Sequence, residues 1–208
     1  MKLYYFAGAC SLADHIVLEW IGEPYETVRM TPASVKSLAY LALNPNGTVP
    51  LLVDGDFVLT QNVAILSYLA ERHPTSRLLG DGSLRGRAEV MQWLGFLNSD
   101  VHPAFKPIFA PLRFLPNRDF ASAIAYTARA HVRIYLSRID KRLEDRDWLA
   151  GERSVADAYL FVLWRWAVRS GVDVDAFTSL SRFASRMYAD PAVCKVVQAE
   201  ESAVDVAA

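Results

Sequence analysis

Cys10 is the residue best placed to do chemistry. It follows a short apolar run, Leu3–Phe6, and a small-residue turn, Ala7-Gly8-Ala9, and a helical pattern begins at Ser11. A thiol at a helix N-terminus meets unpaired backbone N–H groups and the positive end of the helix dipole. That setting is expected to lower its pKa and make it a nucleophile or a stabilised thiolate. Ala13 stands where the second cysteine of a Cys-x-x-Cys pair would be, so thiol chemistry here would need its second thiol from outside. Further along, Val49-Pro50 precedes another apolar strand pattern. X-Pro bonds are the ones that turn cis at low cost, and a proline at a strand start is where such a bond is expected.

These residues need elements to position them. Leu3–Phe6 predicts a strand, and Leu12, Ile16 and Trp20 recur at helical spacing until Gly22. Tyr25–Met30 alternates like a strand, and a short helix is expected over Lys36–Leu43. Asn44-Pro45-Asn46-Gly47 reads as a turn, and Leu51–Val53 with Phe57–Leu59 flank Asp54-Gly55-Asp56 as a hairpin. Val63, Leu66 and Ala70 mark a helix that ends before Pro74. The order is β-α-β-α-β-β-α, the outline of a thioredoxin-like domain. Beyond it only helical patterns occur, over 86–110, 119–145, 155–170, 180–189 and 192–201, with Pro103 and Pro107 expected to interrupt the first. Ser154 and Asp157 form a capping box before an apolar run. The expected fold class is α/β plus all-α. A thioredoxin-like domain spans 1–76, a linker 77–85, and an all-helical domain 86–208 that frays from Ser202.

Composition narrows the function. The chain has 208 residues, 52% of them hydrophobic, enough for a sizeable core. A net charge of -1 gives no sign of a nucleic-acid or anionic-membrane partner. Cys10 and Cys194 are the two cysteines, which is no disulfide scaffold and fits a reducing compartment. Asp14, Glu19 and Glu23 interrupt any secretory pattern near the start, and Ala158–Val168 is too short and is broken by Arg165. A cytoplasmic protein is expected.

The chain resembles the glutathione S-transferases, most of all the bacterial beta class. The likeness rests on Lys2-Leu3-Tyr4-Tyr5, Gly8-Ala9-Cys10-Ser11-Leu12, His15-Ile16-Val17-Leu18 and Tyr40 through Gly47. It continues through Val49-Pro50, Leu59-Thr60-Gln61-Asn62, Ala64-Ile65, Val101-His102 and Ser154 through Phe161. The order of these segments covers essentially the whole chain. The resemblance implies a homodimer and a cleft between the domains that holds glutathione as co-substrate, with no metal. It implies that Val49 and Pro50 meet the cysteine moiety of glutathione, and Lys36 its glycine carboxylate. Gln61 and Asn62 would receive the γ-glutamyl carboxylate. Asp100, beside Ser99, would reach the γ-glutamyl ammonium across the dimer. His102 would lie near the thiol, with Cys10, Ser11 and, less directly, Tyr5 as the other catalytic candidates. Phe6, Phe105, Phe109, Trp164 and Trp166 would wall an acceptor pocket or fill the core.

Four positions depart from the pattern. Ala7 stands where many relatives have proline, Asn62 where many have serine, Gly95 where some have asparagine, and Pro103 where lysine is common. The residues alone also leave plainer roles open: Lys36 as a solvated loop lysine, Gln61 and Asn62 as caps, His102 as a packed histidine. The reaction implied is addition of the glutathione thiolate to a small hydrophobic electrophile in detoxification. One alternative is a thiol-disulfide reductase or dehalogenase working through a Cys10 mixed disulfide. Another is a non-catalytic binder of glutathione or a hydrophobic ligand.

Overall fold

The computed structural model describes residues 1–202. They form two compact units. One is Met1–Leu79 together with the segment from Tyr188 onward, and the other is Gly80–Met187. The division expected from chain order, 1–76 and 86–208, therefore differs at its far end, because the last helix packs with the first unit. Ser202 closes that helix; the fraying expected of 203–208 lies outside the described residues.

The first unit begins with β1 (Lys2–Tyr5), α1 (Ser11–Ile21) and β2 (Glu26–Arg29). A 3-10 turn at Ser34–Lys36 leads into α2 (Leu38–Leu43), then β3 (Leu51–Asp54), β4 (Phe57–Thr60) and α3 (Asn62–Arg72). The sheet order is β2-β1-β3-β4, with β1 parallel to β2 and β3 antiparallel to both its neighbours. Gly22 ends α1 in the left-handed region, φ 78°, and donates its N–H to the Leu18 carbonyl. Gly55, φ 63°, makes the hairpin turn. Strand alternation sends Tyr4 to one face of the sheet, where it packs with Met30, Val35, Tyr40, Val49 and Phe6. Tyr5 faces the other way, beside His15 of α1.

The second unit is helical: α4 (Leu84–Phe96), α5 (His102–Phe109), α6 (Ala121–Arg142), α7 (Val155–Arg169) and most of α8 (Thr178–Ala189). Every residue of α7 from Val155 to Arg165 is buried, so it is the central helix of this unit. Each large apolar side chain buried there contributes roughly 1.5–3 kcal/mol. The expected capping box holds it: the Ser154 N–H and hydroxyl both donate to Asp157 Oδ2 at 2.8 Å, and the Leu149 N–H donates to Oδ1 at 3.0 Å. The interruption expected at Pro103 takes the form of a π-helical turn, Leu97–Val101, between α4 and α5. Pro103 has no N–H for the Ser99 carbonyl, and its ring would crowd it; the wider turn avoids both.

The C-terminal helix α9 (Pro191–Ser202) returns to the first unit. Asp190 Oδ1 caps its start by accepting the N–H groups of Ala192 and Val193. Helix α1 packs against β1, α3 and α9, so Ser11 to Leu18 are buried on all sides. Three polar side chains are enclosed with it, and each turns to a different neighbour. Ser11 exchanges hydrogen bonds with the main chain of Phe6 just past β1, Asp14 meets Asn62 of α3, and His15 meets Glu200 of α9.

Candidate functional site

The thiol of Cys10 does sit at the helix start, as N-cap of α1. Its expected acidity is overturned. Burial, with Asp14 as second cause, pushes the thiol up to about 12, against the backbone N–H groups of Cys10 and Ser11, which pull it down. Helix-terminal fields supply about 0.3–1 kcal/mol at exposed positions, less than one pKa unit. Loss of water around the sulfur is the larger effect. Ser11, expected as a catalytic hydroxyl, donates to the Phe6 carbonyl at 3.2 Å and accepts its N–H at 3.3 Å. It ties the end of β1 to the start of α1. Tyr5 is likewise corrected: it is packed on the α1 side of the sheet, away from the face that carries Val49.

The remaining first-unit candidates lie on the loop before β3, on the turn before α2 and at the start of α3. The Val49-Pro50 bond is cis. The loop before it is braced by the Tyr40 hydroxyl and the Asn44 amide, which donate to the Thr48 carbonyl at 2.6 and 2.7 Å. Val49 itself lies outside the strand ladder, and among the described residues its main-chain N–H and C=O meet no partner. An extended peptide can pair there. The Lys36 ammonium lies beside this loop: a Cβ added at Gly47 would come within 3.1 Å of its Nζ. Gln61, before α3, has φ 75° and ψ 118°. A non-glycine residue in that region is strained, and such strain concentrates at ligand sites. Gln61 provides no side-chain cap for the first N–H groups of α3, and such groups suit a carboxylate. The Asn62 side chain, however, turns inward. With its nitrogen facing the two acceptors, it donates to the Cys10 carbonyl at 3.1 Å and to Asp14 Oδ2 at 2.8 Å.

In the second unit, Ser99 and Asp100 are exposed on the π turn, and the Ser99 hydroxyl lies 2.7 Å from the Gly95 carbonyl and 2.9 Å from Asp100 Oδ2. His102 Nδ1 shares a 2.6 Å hydrogen bond with the buried Tyr159 hydroxyl, which donates to Asn98 Oδ1 at 3.3 Å. The direction consistent with both runs from His102 Nδ1–H to Tyr159 and on to Asn98, leaving Nε2 with its lone pair. Burial, with Lys106 as second cause, brings the imidazole down to about 4. It is therefore a neutral acceptor at ordinary pH. Trp166 packs 4.8 Å from His102 and 5.3 Å from Phe109, ring to ring. Phe109 is 54% exposed, whereas Phe105 and Trp164 are buried. Phe109 and Trp166 can wall a pocket; Phe105 and Trp164 are core.

Comparison with known proteins gives the chain a family. Residues 1–71 match the glutathione S-transferase N-terminal domain, and residues 102–191 match the C-terminal domain. The chain belongs to the glutathione S-transferase family. It is 47% identical, over 96% of its length and 98% of the relative's, to glutathione S-transferase GST-4.5 of Xanthomonas campestris pv. campestris. The solved glutathione S-transferase from Xylella fastidiosa superposes with a TM-score of 0.93 at 46% identity, covering 96% of this chain and 98% of that one. A bacterial beta class transferase from Sphingomonas chungbukensis gives 0.84 at 38% identity, covering 96% and 98%. The transferase fold carries further functional candidates that sequence spacing did not single out. Asp14, His15 and Glu200 were unread because nothing local distinguishes a buried polar helix residue from an exposed one. Tyr159 was hidden inside an apolar run. Among the described residues, no cluster of His, Cys, Asp and Glu could hold a metal, and no helix is long and apolar enough to cross a membrane.

Proposed function

We propose that this glutathione transferase adds the thiolate of glutathione to small hydrophobic electrophiles. The observation that carries the reading is the unpaired main chain of Val49, with the Lys36 ammonium beside its loop at Gly47 and a strained Gln61 at the start of α3. These match the needs of a tripeptide: a backbone to pair with, a cation for one carboxylate, and helix N–H groups for the other. Neutral His102, fixed through Tyr159, keeps an Nε2 lone pair that can accept a hydrogen bond from a thiol, while its low pKa argues against it as the base that takes the proton. Phe109 and Trp166 offer the apolar wall for the electrophile. Asp100, exposed on its turn, would meet the γ-glutamyl ammonium of a partner subunit in a homodimer. The raised pKa of Cys10 favours this transfer over a Cys10 mixed-disulfide cycle. Titration calorimetry with glutathione and rates with an aryl halide and a model disulfide test the reading. Heat on glutathione addition with turnover of the halide supports it. No heat would point to a non-catalytic protein, and turnover of the disulfide alone would favour the reductase.

A further inference from the structure

The Asp14 carboxyl is fully buried one helical turn after Cys10, and its Oδ1 has no hydrogen-bond partner. A half-satisfied carboxyl inside a helix packed on three sides works against stability, since a buried polar oxygen without a donor forfeits its hydration. An apolar side chain of the same size would fit a purely structural position better. What Asp14 does hold is the Asn62 amide, 2.8 Å from Oδ2 and 3.1 Å from the Cys10 carbonyl. Asn62 is 5% exposed and is the first residue of α3, directly after strained Gln61. A strained backbone persists where its surroundings over-determine it. The two hydrogen bonds of the Asn62 side chain supply that constraint.

We propose that Asp14 is a positioning residue for glutathione, holding the Asn62 side chain as a strut between the Cys10 turn and the Gln61–Asn62 start of α3. Asp14 touches no ligand itself. It acts through Asn62, which keeps the N–H groups at the start of α3 aimed at the γ-glutamyl carboxylate while its own amide is spent inward. The inference rests on the reading of the α3 start as a carboxylate site.

The test uses full-length Asp14→Leu, Asp14→Asn and Asn62→Ala, each alone, and Asp14→Leu combined with Asn62→Ala. Melting temperature, glutathione affinity by calorimetry, and KM for both substrates are measured. Asp14→Leu should melt no lower than wild type, yet raise the KM for glutathione about 3- to 10-fold, with the KM for the electrophile and kcat little changed. Asp14→Asn keeps an acceptor for Asn62 and should restore wild-type KM. Asp14→Leu should add nothing in the Asn62→Ala background. Wild-type glutathione affinity in Asp14→Leu, or an undiminished effect of it in the Asn62→Ala background, overturns the proposal while leaving the glutathione site standing. If wild type itself binds no glutathione, the site reading fails and the proposal with it. Should Asp14→Leu not fold, Asn62→Ala decides alone, and unchanged affinity there overturns the strut.

Discussion

At the scale of single residues, solvent exclusion decides what Cys10 and His102 can do. With its pKa at about 12, Cys10 carries very little thiolate at neutral pH. Greater intrinsic nucleophilicity of a high-pKa thiolate recovers only part of that loss. Exchange with oxidised glutathione at pH 7.5 should therefore run about 100-fold slower at Cys10 than at an ordinary cysteine. Intact-mass spectrometry over time measures it, and rapid glutathionylation mapped to Cys10 would contradict the raised pKa of this partly exposed thiol. His102 shifts the other way, to about 4. Because its folded pKa is depressed, the stability it contributes is present above the ordinary histidine range and is lost as pH falls from about 6.5 toward 4. The depression corresponds to about 3 kcal/mol at most. Its ring carbon-proton signals should stay constant from pH 8 to 5 in NMR, and denaturant unfolding should show the wild-type advantage over His102→Gln shrinking across the acid window.

At the scale of elements, the C-terminal helix is fastened to the turn before Cys10. Glu200, 2% exposed, accepts the Gly8 N–H at 2.8 Å and meets His15 Nδ1 at 3.0 Å. Trp20 Nε1 adds a bond to Asp190 Oδ2, and Lys195 pairs with Glu19. The exposed Lys195 pair contributes little, whereas removing Glu200 takes a buried partner from His15, which is 5% exposed. Glu200→Ala should cost about 3–5 kcal/mol in urea unfolding, and Lys195→Ala less than 1 kcal/mol. Equal, small effects of the two would show that α9 is held by its valines alone. The π turn has a comparable logic: Pro103 displaces the helix frame at the point where Asp100 and His102 emerge.

At the scale of the whole molecule, assembly is the expectation the family brings. Helices α4 and α6 expose Met91, Tyr126 and Ile134, and β4 exposes Phe57 and Val58. Single exposed apolar side chains are ordinary, so it is Asp100 that makes assembly a question about function. Sedimentation velocity should show a dimer, and glutathione affinity should fall as the protein is diluted into monomer. Asp100→Asn should weaken binding in the dimer without altering its mass. A stable monomer with full glutathione affinity would end the shared-site reading.

The sequence by itself determined what depends on neighbours in the chain. Gly22 ends α1, Asn44 to Gly47 turn, Gly55 closes the hairpin and Ser154 caps α7, because each acts through backbone conformation or a hydrogen bond within a few residues. The Val49-Pro50 bond and the order βαβαββα followed by helices were legible for the same reason. The tertiary structure alone decided how much water reaches each group. The helix dipole at Cys10 is local, but the packing that desolvates it comes from elsewhere in the fold and outweighs it. Ser11, Asp14 and His15 look like the polar side of an amphipathic helix, yet β1, α3 and α9 close over all of them. Their roles were set by partners as distant in sequence as Glu200, which no window along the chain brings near.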